Sequence, residues 1–147
     1  MELLYVFLAL LAGACMPVQA GINSQLRTFV GDPAFAAMIS FAVGTIALFG
    51  FVLATRAPWP SGADVAQTNW WHWTGGFLGA FLVTMSVILA PRLGATTMLA
   101  LLVTGQMTVS LILDHFGVVG YPERLMSLPR VIGAAMLVGG VVLVQRY

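Results

Sequence analysis

Residues 34–54 read AFAAMISFAVGTIALFGFVLA, and no charged side chain interrupts them. As a helix rising about 1.5 Å per residue, such a stretch crosses a hydrocarbon layer about 30 Å thick. Asp32-Pro33 stands immediately before it. That pair is a helix-start signal: a carboxylate accepts from the open N–H groups, and the proline has no N–H to lose. Working outward, four more apolar runs appear at about residues 3–22, 70–90, 94–113 and 129–144. Pro91 is expected to stop the third, and the fifth is short for a span. Hydrocarbon offers no water to backbone N–H and C=O groups, so each run must close its own hydrogen bonds as a helix. None alternates polar and apolar residues as a membrane strand would. The expected fold is all-α: an integral membrane bundle of five transmembrane helices in a single domain, residues 1–147.

Composition points the same way. Sixty per cent of the residues are apolar and 7% are charged, against about 25% charged in a soluble domain. Mean hydropathy is +0.97. With a formal net charge of +1 there is no basic face for nucleic acid. Cys15 stands alone, which rules out an internal disulfide framework. Residues 1–20 have the look of a signal peptide ending Val18-Gln19-Ala20. Their start holds Glu2 and no Lys or Arg, however, so retention as the first span is expected.

Every basic residue is an arginine. Alternating sides along the five runs puts Arg56, Arg124 and Arg130 with the N-terminus, and Arg27, Arg92 and Arg146 opposite. Orientation follows asymmetry in Lys and Arg, and here there is none. Two readings remain open. Topology is fixed by a partner, or copies insert both ways up and pair antiparallel. An odd helix count suits the second, since an odd unit beside its inverted copy is the plan of many transporters.

Few side chains could carry chemistry. Pro17 removes a helical partner from the Gly13 carbonyl, and a helix break is expected there. Gln19 and Asn23, four apart, share a face beside it. They line a cavity or simply pair helices. Gln106, Ser110 and Asp114 fall on one stripe of the fourth run, with His115 next. Gln106 contacts substrate or makes one interhelical bond. Asp114 pairs with Arg130 or Arg124 across the loop, or with His115 serves as a proton-linked group. Trp70, Trp71 and Trp73 open the third run, with Trp59 before them. They form an interfacial belt or, through Trp71, a binding-pocket wall. Gly75/Gly79, Gly76/Ala80 and Ala135/Gly139 are small-x-x-x-small steps for close helix packing. Two histidines without a thiolate cluster make no metal site. No cofactor and no enzymatic constellation are expected.

With these residues in hand, the chain resembles the YdcZ family, small bacterial membrane proteins of the drug/metabolite transporter superfamily. The resemblance rests on Pro17-Val18-Gln19, Ile22-Asn23, Leu26-Arg27, residues 40–45 (SFAVGT), Trp70-Trp71 with Trp73, and residues 75–79 (GGFLG). It continues through residues 91–95 (PRLGA), Gly105-Gln106, residues 114–117 (DHFG) and Arg130. It implies a multi-pass protein of the bacterial inner membrane. It also implies a five-helix unit like half of a ten-helix transporter, paired antiparallel with itself or with a homologous five-helix subunit. The distantly related small multidrug-resistance proteins use a glutamate within the first helix. Here Gln19 and Asn23 stand in that helix and Glu2 is at its extreme start. The expected function is therefore alternating-access transport of a small polar, neutral or zwitterionic solute. Gln19, Asn23, Gln106, Ser110 and Trp71 would be its contacts. A passive pore formed by an antiparallel dimer, or a non-transporting subunit of a membrane complex, is the alternative.

Overall fold

A computed structural model describes residues 2–146. Six α-helices follow in order: α1 (Glu2–Val30), α2 (Pro33–Thr55), α3 (Gly62–Ala66), α4 (Gly75–Leu93), α5 (Ala95–Phe116) and α6 (Leu128–Arg146). A 3-10 turn, Trp70–Thr74, runs directly into α4. No strand occurs among the described residues. Five segments are long and apolar enough to span a bilayer: Leu3–Val30, Pro33–Thr55, Trp70–Leu93, Ala95–Phe116 and Leu128–Arg146. Only 6% to 11% of the residues in each span's most apolar stretch are buried. Leu, Val and Phe side chains therefore make up the outside of the chain, a surface that lipid suits and water does not.

The helices exceed the apolar runs at several ends. The first run closes near residue 22, yet α1 continues to Val30, because Gln25, Leu26 and Arg27 are good helix formers. Asn23 is thus inside the helix and not at its end. Pro17 also lies within it, and the helix passes through that position. The turn to α2 is set by Asp32, extended at φ −136° and ψ 137°, the region proline imposes on the residue before it. The Asp32 carboxylate accepts from the N–H groups of Ala34 (2.7 Å) and Phe35 (3.2 Å). At the third run Pro91 does not end the helix; α4 continues to Leu93, and Gly94, at φ 75°, separates it from α5.

The chain divides into two compact units, residues 1–91 and 92–147. In the first, α1 and α2 form a close antiparallel hairpin. Its buried side chains include Ala20 and Asn23 of α1 and Ala36 and Ala37 of α2, small groups that let backbones approach. Gly79 of α4 meets the Phe41 ring of α2, and a Cβ placed there would stand 3.5 Å from Cζ. In the second unit α5 and α6 form the close pair. α5 ends at Gly117, φ +59°, where a Cβ would approach the Glu123 Cβ to 3.0 Å. Both the conformation and the room require glycine there. The other expected small-residue steps, at Gly75, Gly76 and Gly139, face open space.

The connection from α2 to α4 is tied locally. In α3 the Ser61 hydroxyl accepts from Asp64 N–H, while Asp64 Oδ2 accepts from Ser61 N–H (2.8 Å) and from its hydroxyl (2.7 Å). These bonds, the hydroxyl's first and the amide's second, hold the exposed Asp64 carboxyl below its usual pKa. A depressed carboxylate pKa means the box is intact at neutral pH and fails as acid protonates Asp64. Protection of the Ser61 amide, its exchange rate taken against the intrinsic rate at each pH, is expected to fall as pH drops through and below the carboxylate range. Protection unchanged by Asp64→Asn at neutral pH would show that Asp64 does not hold this turn.

Candidate functional site

The α1 polar face is the centre of the first unit. Asn23 is 4% exposed and is the buried polar side chain among the described residues. Its Nδ2 has no hydrogen-bond partner. One turn earlier, Gln19 is exposed and borders two cavities. The smaller, about 30 Å³, lies toward α4 and is lined by Met16, Gln19, Ala20, Asn23, Leu82, Val83 and Ser86. The larger, about 240 Å³, lies toward α2 and is lined by Gln19, Ser40, Phe41, Gly44, Thr45 and Leu48. Three hydroxyl-bearing residues, Ser40, Thr45 and Ser86, thus join the two carboxamides around α1. None carries a charge, so this lining offers hydrogen bonds without an ionic partner.

The sequence pairs Gln19 with Asn23 but does not single out Ser40, Thr45 or Ser86. A lone hydroxyl in an apolar helix ordinarily bonds the carbonyl one turn back. Ser86 does so, donating to Leu82 O at 2.8 Å. The signal that was present is the four-residue spacing of Ser40 and Gly44, which clears one face of α2 opposite Gln19.

In the second unit, Gln106 and Ser110 lie on one exposed face of α5. The depression they share is lined entirely by that helix, with Leu101, Leu102, Gly105 and Val109. Thr104 and Thr108 spend their hydroxyls on the carbonyls of Ala100 and Thr104, each at 2.9 Å. Gln106 and Ser110 are the uncommitted polar side chains of this face. An amide on a lipid-level face costs free energy unless protein or water meets it.

Ser110 also opens onto a cavity of about 430 Å³ with Met107, Leu111, Asp114, Arg130, Gly133, Ala134 and Leu137. At its mouth Arg130 and Asp114 form an ion pair, 2.5 Å, with the side chains about a third and a fifth exposed. Arg130 also donates to Arg124 O at 3.1 Å. Arg124 N–H in turn donates to Asp114 O at 2.7 Å. Next to it, His115 Nδ1 accepts from Met126 N–H at 3.1 Å. These four bonds stitch the 117–127 loop across the ends of α5 and α6. Of the two partners considered for Asp114, the side chain takes Arg130. His115 serves the loop by accepting at Nδ1.

Trp71 lies on the 3-10 turn, its ring 3.8 Å from the His72 imidazole, and borders neither of the α1 cavities. Trp73 Nε1 donates to Thr68 Oγ1 at 3.1 Å. Trp59 packs against Phe49 with ring centres 6.0 Å apart. Exposed rings with one polar edge, clustered at a span's start, have the character of an interfacial belt.

Comparison with known proteins adds the following. The model of a family described as "Putative inner membrane exporter, YdcZ" matches residues 4–143. The inner membrane protein YdcZ of Escherichia coli (strain K12) is 30% identical over 135 residues, covering 92% of this chain and 90% of that protein. No solved structure matches.

Proposed function

Because this chain belongs to the YdcZ family and is a multi-pass inner-membrane protein, we propose that it carries a small, neutral or zwitterionic polar solute across the bilayer by alternating access. Export is the direction the family's description names, and that description is of a transporter and not an enzyme. The observation that carries the reading is the position of Gln19, an exposed carboxamide that borders the cavity of about 240 Å³ together with Ser40 and Thr45. Uncharged donors and acceptors suit solutes with hydroxyl, amide or paired charged groups better than permanent cations. The larger cavity is compact, so one face of a small molecule fits between α1 and α2.

An inverted partner supplies the second half of the pathway. The even division of arginines between the two sides supports two-way insertion. Gln106 and Ser110 support it too, as polar groups on a face that only their own helix lines. Pairing would cover that face and bring it to the solute path.

Reconstituted vesicles test both parts. Counterflow of a panel of small polyols, amides and amino acids is expected to saturate for at least one class. Flux that rises linearly with concentration for every solute would point to a pore. With Cys15 replaced by serine, a single cysteine at either terminus is expected to react in part with an impermeant thiol reagent applied to the outer face of intact cells, and the remainder only after permeabilisation opens the inner face. Labelling from one face alone would remove the inverted homodimer.

A further inference from the structure

The smaller α1 cavity holds a feature that solute transport leaves unexplained. Asn23 is buried and its Nδ2 has nothing to donate to. Such a group is costly inside protein unless an acceptor meets it. The space beside it measures about 30 Å³. One water needs roughly 10–15 Å³ measured this way, so the cavity admits a water and excludes a solute molecule.

The lining also selects the occupant's chemistry. The unpartnered Asn23 Nδ2 carries N–H donors, so it disfavours a cation and calls for an acceptor oxygen. Across the cavity Ser86 has committed its proton to Leu82 O, which leaves its lone pairs to accept. The Gln19 carboxamide offers a further partner. Met16, Ala20, Leu82 and Val83 supply apolar walls. A molecule that accepts once and donates once or twice satisfies all three polar groups, and water is the one that fits.

We propose that this cavity is a hydration site, in which one ordered water accepts from Asn23 Nδ2 and donates to Ser86 Oγ, tying α1 to α4 where neither helix bonds the other directly. The site belongs to the resting protein and does not depend on the identity of any cargo.

Thermal denaturation of the purified full chain in detergent, free of added solute, tests it through Asn23→Leu, Ser86→Ala and the double variant. Each single change is expected to lower the midpoint by a few degrees. The double variant should lose clearly less than the sum, because both side chains act through one shared water. If the cavity is dry, Asn23→Leu removes an unmet donor of similar size. The midpoint then holds or rises and the effects add, which overturns the proposal. Should Asn23→Leu fail to fold, a structure of the unaltered chain near 2 Å resolution decides. A single density peak within hydrogen-bond distance of both Asn23 Nδ2 and Ser86 Oγ is expected, and an empty cavity refutes it.

Discussion

Gln19→Leu is expected to reduce solute flux by roughly 30- to 150-fold while the protein still inserts and purifies normally. Leucine keeps nearly the volume of glutamine and removes both polar ends. Gln19 is exposed and closes no packing contact in the core, and apolar residues favour insertion, so the fold has little to lose. Transport loses the one carboxamide that borders both cavities. Two hydrogen bonds at about 1–1.5 kcal/mol each amount to about 2–3 kcal/mol, and each 1.4 kcal/mol is about tenfold in rate. Counterflow in vesicles, alongside size-exclusion profiles in detergent, reads the two effects apart. Gln19→Asn, shorter but still an amide, should retain part of the flux. Unimpaired flux in Gln19→Leu would place the solute path elsewhere.

The second large effect is structural. Arg130→Leu is expected to destabilise the second unit by about 2 kcal/mol, between the values for exposed and for fully buried ion pairs. Two bonds disappear at once, to Asp114 Oδ2 and to Arg124 O, and the carboxylate is left half-buried without a counter-charge. The loop should then open. Trypsin cleaves after arginine, so cutting at Arg124 in the detergent-solubilised protein is expected to rise by about tenfold or more, following the loss of local stability. Asp114→Leu combined with Arg130→Leu should recover much of the midpoint, since no isolated charge remains. Equal trypsin resistance in the single variant and the parent would mean that this ion pair does not secure the loop.

Four of the five spans are legible from run length alone, the stretch at residues 34–54 above all, while the fifth run is short and gains its length from the residues flanking it. The pairing of Asp114 with Arg130 was one of two partners the sequence offered. What a linear reading misses is depth. Asn23 appears at the edge of an apolar run, and only the continuation of α1 to Val30 carries it into a buried position. Pro91 reads as a stop, yet a proline near a helix end forfeits one bond and leaves the last turn in place. Ser40, Thr45 and Ser86 are hidden for another reason. In hydrocarbon a hydroxyl can satisfy itself on its own backbone, so its presence in a run says nothing about what it faces.

The two long connections differ mechanically. Between α2 and α4, every hydrogen bond reaches no more than five residues along the chain, as in the Ser61–Asp64 box and Trp73 to Thr68. Between α5 and α6, bonds reach ten to sixteen residues and close on helix ends. The former is a string of local ties that places no hydrogen bond between its two helices. The latter is a rivet that obliges α5 and α6 to travel together as one rigid lever.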